Sequence, residues 1–286
     1  MKLSVSVVTF QEIDFIRQSL ESVLQQKTSF PFEVIVGDDA STDGSQDILR
    51  EIAARHPDKV TLLIAPENYG DYGLSNFMST IDNCTGEYIA FLDGDDYFSC
   101  VDKLQRQVDF LDAHPECNMC AHRIMHLHDD GRRELSTLPA SCAGDDSGTV
   151  ESIHDIGEYL FENFSPKAAT VVRRSAIDDL PDWYRTTRIA SADWVFNVLA
   201  SRNGKIGYIN DVMAVHRKRD GGLTAFYGAR RMLSDKLTAL ETLKEYLPDH
   251  QKEVEAAARR VRWKLRVSRL GPLVYKYVRR VNKTRA

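Results

Sequence analysis

The sequence predicts an α/β fold with a mainly parallel central sheet, and three observations lead to this prediction. Through the first hundred residues, short apolar stretches alternate with stretches whose apolar residues recur every three to four positions. Such alternation is typical of βαβ units. Of the 286 residues, 43% are hydrophobic and 28% are charged, so the chain can bury a sizeable core. No stretch reaches the roughly 18 consecutive apolar residues that a membrane-spanning helix requires.

The elements of the first half follow from these local patterns. The predicted strands cover residues 3–9, 33–38, 59–65 and 87–93. The predicted helices cover residues 12–25, a stretch through Ile48 that stops at His56, a stretch through Phe77 that ends near Gly86, and residues 104–114. Parallel sheets bind ligands at the carboxyl ends of their strands, so the loops that follow these strands are the candidate site.

The pattern is less regular after residue 114. We predict strands over 118–127, 168–173 and 205–214, a helix over 192–201 and a loop over 137–150. A long amphipathic helix is predicted over 224–247. These elements do not by themselves define an order of strands, so the second half of the sheet stays open at this point.

One acidic loop follows the predicted strand 87–93. Three carboxylates, Asp93, Asp95 and Asp96, lie within four residues. Packed carboxylates repel one another, so they stay ionised only in a positive local field. A divalent cation supplies such a field, and Mg²⁺ or Mn²⁺ takes oxygen ligands from carboxylates and phosphates. The alternative is a plain acidic turn at the end of a strand.

A second acidic loop follows the predicted strand 33–38. It contains Asp38, Asp39 and Asp43 and leads into a predicted helix. Carboxylates there can accept hydrogen bonds from a base or a ribose, and a helix N-terminus favours anions. The alternative is a turn followed by a helix cap. Two such loops about fifty residues apart are more specific together than either is alone.

The motifs together resemble those of glycosyltransferase family 2, in particular a bacterial subgroup of these inverting enzymes. The matching segments are residues 4–10, 38–44, 86–96 and 103–111 and the later Ser191-Ala192-Asp193-Trp194, within a span of roughly residues 3–225. The resemblance implies a GT-A nucleotide-binding fold. It also implies a catalytic domain over 1–223, with a nucleotide-binding half over 1–115 and an acceptor-side half over 116–223, followed by a helical, basic extension over 224–286.

The resemblance also implies roles for individual residues. Thr9 and Phe10 would lie beside the base, Asp39 would bind it, and Asp38 and Asp43 are weaker candidates in the same loop. Asp93 would contact the ribose or the metal, Asp95 would ligate the metal with Asp96 adjacent, Asp193 would be the general base, and Arg217, Arg219 and Asn76 are candidate contacts of the diphosphate.

The implied activity is transfer of a sugar from a nucleotide-diphospho-sugar, first of all a UDP-sugar, to an acceptor hydroxyl, with Mn²⁺ or Mg²⁺ as cofactor. The setting would be synthesis of bacterial surface polysaccharide or glycolipid. One position departs from the family pattern, because Arg219 stands where a His is often found and a guanidinium cannot ligate a metal. The alternative is a non-catalytic nucleotide-binding module with a relic of this fold.

The formal net charge of −5 conceals an asymmetry. Residues 259–286 contain eleven Lys or Arg and no Asp or Glu, which leaves 26 basic and 42 acidic groups in residues 1–258. The basic segment 259–285, which also carries Trp263, suits an anionic membrane surface; the alternative is a helix packed on the domain. No base-reading motif accompanies the charge, so nucleic acid is not an expected partner. The odd count of five cysteines favours a cytoplasmic protein, peripheral on the inner face of the membrane if the tail binds there.

Overall fold

The computed structural model describes residues 1–136, 139, 142, 151–161, 163–189, 191–219 and 223–268. Its strands are β1 (Leu3–Thr9), β2 (Phe32–Asp38), β3 (Val60–Ile64), β4 (Tyr88–Asp93), β5 (Tyr97–Phe98), β6 (Cys117–His128), β7 (Arg133–Leu135), β8 (Glu151–His154), β9 (Val171–Arg173) and β10 (Lys205–Lys218). Its α-helices are α1 (Ile16–Leu24), α2 (Ser45–Arg55), α3 (Leu74–Asn83), α4 (Lys103–Ala113), α5 (Ile156–Phe161), α6 (Asp182–Thr186), α7 (Ala192–Ser201), α8 (Leu223–Leu243) and α9 (Gln251–Ser268).

The strands form one sheet in the order β3-β2-β1-β4-β9-β6-β10-β5, with β7 beside β6 and β8 beside β10. The β3-β2-β1-β4 part is parallel, as is the β6–β10 pair, while β9 joins the two parts antiparallel to β4 and β6. Helices cover both faces of β1, which explains why Val5 and Val7 are fully buried in a nearly continuous apolar run. The predicted α/β fold with a mainly parallel sheet is confirmed.

Several elements differ from the sequence prediction. The first helix begins at Ile16 rather than at residue 12, because residues 12–15 form a turn. The predicted strand 168–173 divides into a 3₁₀ turn, Lys167–Ala169, and the short β9. Strand β10 continues to Lys218, four residues beyond its predicted end, and so carries its last residues to the candidate site. Most of the predicted loop 137–150 lies outside the described residues.

The last two helices pack against the body of the protein. Leu240 and Leu243 of α8 and Val254, Ala258 and Val261 of α9 belong to the same buried cluster as apolar residues of α3 and α7. The predicted long helix is interrupted, because Gly228 has a non-helical backbone (φ 65°, ψ 156°). The division into domains at residue 223 stays a prediction, and residues 269–286 of the basic tail lie outside the described part. In that described part, no helix is both long enough and apolar enough to cross a bilayer.

Candidate active site

The two acidic loops meet at one edge of the sheet. In the strand register Thr9 lies opposite Asp38, and Val8 lies opposite Asp93, so the carboxyl ends of β2, β1 and β4 are adjacent. Gly94 permits the close approach, because a Cβ atom there would lie 2.5 Å from Thr9 Oγ1. The sheet order therefore brings together the residues that follow three different strands.

The first loop, residues 38–44, holds its carboxylates with neutral donors. Asp38 Oδ2 accepts hydrogen bonds from the backbone N–H of Ser41 and from Gln46 Nε2, both at 2.9 Å. Asp43 accepts from the N–H groups of Ile13 and Ser45, also at 2.9 Å. Burial raises the pKa of Asp43, but these hydrogen bonds outweigh it and hold the pKa below its ordinary value. Asp38 and Asp43 thus shape the loop itself.

Asp39 is the carboxylate of this loop that reaches the next segment of chain. Its Oδ1 accepts from the N–H of Tyr69 at 2.9 Å and its Oδ2 from Asn68 Nδ2 at 3.0 Å. Burial raises the pKa of Asp39, while the Tyr69 N–H opposes the rise. The Asp39 N–H in turn donates to the carbonyl of Thr9 at 3.1 Å. Asp39 therefore connects the ends of β1 and β2 with the loop before α3.

Three further predicted residues surround this loop. Thr9 is buried, and its hydroxyl has no hydrogen-bond partner among the described residues. The Phe10 side chain is 44% exposed and free to offer a ring face to a base. Asn76 is buried, and its Nδ2 donates to the carbonyl of Gly37 at 3.0 Å. The predicted contact of Asn76 with a diphosphate stays a prediction.

The second loop, residues 93–96, holds each carboxylate with a cation. Asp93 Oδ1 accepts from Lys167 Nζ at 2.9 Å, and Asp95 Oδ2 lies 3.4 Å from Arg219 Nη1. The fully buried Asp96 pairs with His216 Nδ1 at 2.9 Å and accepts the Arg217 N–H at 2.8 Å. Although burial lowers the pKa of His216, the Asp96 carboxylate raises it above its ordinary value. The carboxylates of this loop are thus paired with cations that come from the Lys167 turn and from the end of β10.

Arg217 and Arg219 both contact the same aromatic ring. Both guanidinium groups stand 4.7 Å from the centre of the Phe15 ring, and Arg217 also stands 4.9 Å from that of Tyr97. Arg217 donates to the carbonyl of Asp95, and Arg219 donates to the carboxylate of Glu12. Cation–π contacts and ion pairs of this kind fix the direction of a guanidinium. Both side chains are therefore held at the acidic loop.

At Asp95 and Glu12, the nearby cations do not fully balance burial and the repulsion between carboxylates. Burial raises the pKa of Asp95 to about 6, and repulsion from Asp96 and Asp93 acts in the same direction. Burial also raises the pKa of Glu12 to about 7, with repulsion from Asp95 next in size and Arg219 opposing both. Raised carboxyl pKa values in a cleft are typical of functional sites.

Asp193 lies in the first turn of α7, beside the Lys167 turn. The helix is anchored by Trp194 Nε1, which donates to the carbonyl of Tyr159 at 3.2 Å, and by Asn197 Nδ2, which donates to that of Ser165 at 3.1 Å. Burial raises the pKa of Asp193 above its ordinary value. Among the groups that lower this pKa, Lys167 has the largest effect. As a whole residue, Asp193 is partly exposed to solvent. A partly exposed aspartate on a fixed helix is suited to accept a proton.

The donor set at the second loop fits a cation that substrate oxygens help to bind. Among the described residues, no three His, Cys, Asp or Glu side chains form a cluster arranged to hold a metal ion. Asp93 and Asp95 each contact a protein cation through one carboxylate oxygen, and within the described chain the other oxygen has no hydrogen-bond partner. Mg²⁺ and Mn²⁺ sites of one or two carboxylates, completed by phosphates and water, have this character.

Sequence reasoning did not identify Glu12 and Lys167. Glu12 follows β1 by three residues, so the rule that ligands bind at the ends of parallel strands could have included it. Lys167 lies in the irregular second half, and no spacing links it to Asp93, 74 residues earlier. It reaches the loop only because β9 inserts between β4 and β6. The contact between Lys167 and Asp93 can therefore be identified only from the three-dimensional structure.

Comparison with known sequences places the chain in a family. The family model for glycosyl transferase family 2 matches residues 4–181. The uncharacterized protein Rv1520 of Mycobacterium tuberculosis is 32% identical over 222 residues, which are 77% of this chain and 60% of that protein. The chain thus spans well under the full length of this relative.

Solved structures agree in fold. S. aureus TarS (residues 1–349) in complex with UDP-GlcNAc superposes with a TM-score of 0.70 at 20% identity, over 90% of this chain and 70% of that one. The mannosyltransferase PcManGT from Pyrobaculum calidifontis, in complex with GDP-Man and Mn²⁺, gives a TM-score of 0.60 at 18% identity, over 99% and 79% of the two chains. The family match and the shared architecture confirm the resemblance noted in the sequence: the chain belongs to glycosyl transferase family 2 and has the GT-A fold.

Proposed function

We propose that this protein is an inverting, divalent-metal-dependent glycosyltransferase that moves a sugar from a nucleotide-diphospho-sugar to an acceptor hydroxyl. One observation carries the proposal: the acidic loops after β2 and β4 share one edge of the sheet, and Lys167, which pairs with Asp93, lies in a segment that is hydrogen-bonded to the helix of Asp193. The first loop suits a base and ribose, the second suits a diphosphate with its cation, and Asp193 suits a proton acceptor. A UDP-sugar is the first donor to test, and bacterial surface polysaccharide or glycolipid synthesis is the proposed setting.

The chemistry requires one base and one stabilised leaving group. Asp193 takes the proton of the acceptor hydroxyl as its oxygen forms a bond to the anomeric carbon. The bond from that carbon to the phosphate oxygen breaks on the opposite face, and its electron pair leaves with the nucleoside diphosphate. Displacement in a single step inverts the configuration. Arg217 and Arg219, held on Phe15, offer guanidinium groups to the negative phosphates.

Asp95 and Asp93 would hold the divalent cation through their unpaired carboxylate oxygens. When bound, such a cation supplies neutralisation of the charge that grows on the leaving diphosphate. The protein's part is to hold the two carboxylates at fixed positions, through Lys167 and Arg219. Because Arg219 occupies the position where the family often has His, the protein side of the site would consist of carboxylates only.

The test is calorimetric titration of the protein with UDP, with and without Mn²⁺, on wild type, Asp95→Ala and Asp39→Ala. We expect micromolar binding that requires Mn²⁺ in the wild type. Asp95→Ala should lose the dependence on Mn²⁺, and Asp39→Ala should weaken binding at every Mn²⁺ concentration. Asp47→Ala is the matched control, because Asp47 is an exposed carboxylate on α2 outside both loops.

The other outcomes distinguish the alternatives. Binding of GDP or dTDP in place of UDP would keep the transferase and change the donor. Binding that ignores Mn²⁺ would remove the metal from the proposal. A protein that folds but binds no nucleoside diphosphate under any condition would contradict the transferase, and binding without turnover of any nucleotide-sugar would favour the relic module.

We further propose that α9 rests on an anionic membrane surface, on the inner face of the cell membrane. Its buried side, with Val254 and Val261, packs on the core, while Arg259, Arg260 and the 44% exposed Trp263 face outward. Basic side chains attract anionic headgroups, and Trp is suited to the interface. Such a position would bring the active site to a lipid-linked acceptor.

Sedimentation with vesicles tests this surface. The full chain should bind vesicles that contain phosphatidylglycerol, bind weakly to pure phosphatidylcholine and dissociate at high salt. The double variant Arg259→Glu/Arg260→Glu should lose most of this binding, whereas a control with Arg50→Glu/Arg55→Glu on α2 should retain it. Equal binding by the α9 variant would contradict the proposal.

A further inference from the structure

A further set of chemically reactive side chains lies on β8, at the end of β10 that is remote from the two acidic loops. Successive residues of a strand alternate between its two faces, so Ser152 and His154 share one face of β8. In the antiparallel register, Ser152 lies directly opposite Tyr208 of β10. Tyr208 precedes His216 by eight residues, which is roughly 25 Å of extended chain. The set is therefore separate from the candidate active site.

Hydrogen bonds join a hydroxyl, an imidazole and a carboxylate in this set. Ser152 Oγ lies 2.8 Å from His154 Nε2, and His154 Nδ1 lies 2.9 Å from Glu158 Oε2. Glu158 reaches the imidazole because α5 begins at Ile156, two residues after β8 ends. An ionised carboxylate only accepts hydrogen bonds, so Nδ1 donates to Glu158, and Nε2 of the neutral ring accepts from the Ser152 hydroxyl. This arrangement activates a hydroxyl as a nucleophile.

The imidazole of this set is shielded, whereas the hydroxyl is not fully buried. The side chain of His154 is only 3% exposed, and its ring centre lies 5.5 Å from that of Phe164 and 6.1 Å from that of Tyr208. The Glu158 side chain is 21% exposed, and Ser152 as a whole residue is partly exposed. A base that is fixed by packing next to a partly exposed hydroxyl suits covalent catalysis on a small substrate.

Tyr208 supplies a hydroxyl on the same face of the sheet. The residue is fully buried, and its hydroxyl has no hydrogen-bond partner among the described residues. A buried polar group without a partner is costly, so such a group in a folded protein calls for a ligand or a role. Residues directly opposite each other on paired strands have their side chains adjacent. The Tyr208 hydroxyl is therefore available to donate to an oxygen of a molecule bound beside Ser152.

We propose that Ser152, His154 and Glu158 form a second catalytic site, of the acyl-transfer class, whose substrate is a carboxylic ester. Ser152 Oγ forms a bond to the carbonyl carbon while its proton passes to His154 Nε2. The bond from that carbon to the alcohol oxygen then breaks, and the alcohol leaves with this proton. Water repeats the sequence on the acyl group and releases the carboxylic acid. Glu158 is a positioning residue for the imidazole, and Tyr208 donates to the carbonyl oxygen as negative charge develops there.

A thiol close to the same imidazole makes the identity of the nucleophile testable. Cys142 Sγ lies 3.4 Å from Ser152 Oγ and 3.8 Å from His154 Nε2. Either group could carry an acyl label if only turnover were measured. The experiment must therefore locate the modified atom as well as measure a rate.

The experiment uses the full chain with a fluorophosphonate probe, which reacts with activated serine hydroxyls, and with p-nitrophenyl acetate as an ester. Mass spectrometry of peptides should place the phosphonate on Ser152, and p-nitrophenol should be released with turnover. Ser152→Ala should lose both signals. His154→Gln should slow both by about 100-fold or more, because the general base is lost. Ser29→Ala, at an exposed serine before β2, is the matched control and should behave as wild type.

Tyr208→Phe provides a second variant that removes only the hydroxyl. Because that hydroxyl has no hydrogen-bond partner in the described chain, we expect urea unfolding to change little. The kcat for p-nitrophenyl acetate should fall by about 100-fold with KM nearly unchanged, as for loss of one donor to the developing oxyanion. A purely structural role of Tyr208 would not produce this division between kcat and KM. If Ser152→Ala does not fold, the site of labelling in wild type and the kcat of Tyr208→Phe decide the question.

Three results would overturn the inference: no labelling of the folded wild type, a label on Cys142 in place of Ser152, or ester turnover that persists in folded Ser152→Ala. The assay contains no nucleotide and no divalent metal. Its failure would therefore leave the proposed transferase untouched, and failure of the protein to bind UDP would leave the second site untouched.

Discussion

The two acidic loops of the active site hold their carboxylates in different ways. In the loop after β2, backbone N–H groups and amide side chains bind Asp38, Asp39 and Asp43. In the loop after β4, each of the three aspartates has a cationic partner, among them Lys167 for Asp93 and His216 for Asp96. Neutral donors fix geometry, whereas cations also balance charge. The comparison indicates that the hydrogen bonds of the first loop fix its geometry, whereas the ion pairs of the second loop also balance its negative charge.

The largest effect that separates the loops should be on folding stability. Asp96→Ala removes the partner of His216 and of the Arg217 N–H at a buried position, and losing one member of a buried pair costs about 3 kcal/mol. Asp43→Ala removes two hydrogen bonds near the surface and should cost about 1 kcal/mol. Urea unfolding at pH 7 measures both. Equal losses would mean that the charges of the second loop contribute no more than the hydrogen bonds of the first.

Lys103 offers a further comparison, because it is a buried cation that pairs with no carboxylate in the described part of the chain. Its Nζ donates to Gln107 Oε1 at 2.7 Å and stands 4.2 Å from the centre of the Phe98 ring. Burial lowers the pKa of Lys103 to about 7, whereas the unfolded chain keeps a value near 10.4. Below pH 7 both states are protonated and the full cost of burying the ammonium is present. As the pH rises above 7, the folded state releases its proton first, so the cost falls.

Lys103→Met should therefore stabilise the protein most at acid pH. We expect the gain in unfolding free energy over wild type to be about 3 kcal/mol larger at pH 6 than at pH 9, since the two states differ by one proton over about two pH units and each unit is worth about 1.4 kcal/mol. Urea unfolding at several pH values measures the gain, with the exposed Lys27→Met as control. A gain that does not vary with pH would show that Gln107 and Phe98 stabilise the ammonium as well as water does.

Gly94 tests whether the loops must approach each other closely. A Cβ atom at this position would lie 2.5 Å from Thr9 Oγ1 and 2.7 Å from Thr9 Cβ. Gly94→Ala should cost about 1–3 kcal/mol, because the end of β1 must shift away from the second loop. In Gly157→Ala the nearest atom is the flexible Glu253 Cγ at 3.2 Å, which makes it a suitable control. If both variants unfold at the wild-type urea concentration, the close packing of the two loops is not required.

The sequence predicts the first loop better than the second for a physical reason. Residues 33–44 form a strand and the loop after it, so the positions of Asp38 and Asp39 follow from a local pattern. The partners of the second loop come from residues 12, 167, 216 and 219, and only the order of the strands brings them together. The helix at residue 45 shows the same limit on a small scale. Its first turn follows Gly44 in a left-handed conformation, and a Cβ atom at Gly44 would lie 2.9 Å from Ile13 Cδ1, a residue of another segment.

The smallest expected difference concerns a single charge in the first loop. Asp39→Asn keeps an oxygen for the Tyr69 N–H and removes only the charge and one acceptor. Because its partners are neutral, we expect UDP affinity to fall about tenfold, the size of one hydrogen bond to a charged group, with the requirement for Mn²⁺ unchanged. Asp95→Asn should instead change the Mn²⁺ requirement itself. Calorimetric titrations with UDP at a series of Mn²⁺ concentrations distinguish the two: a parallel loss of affinity places Asp39 outside the metal's influence, whereas a changed Mn²⁺ dependence would mean that the two loops act as one charged site.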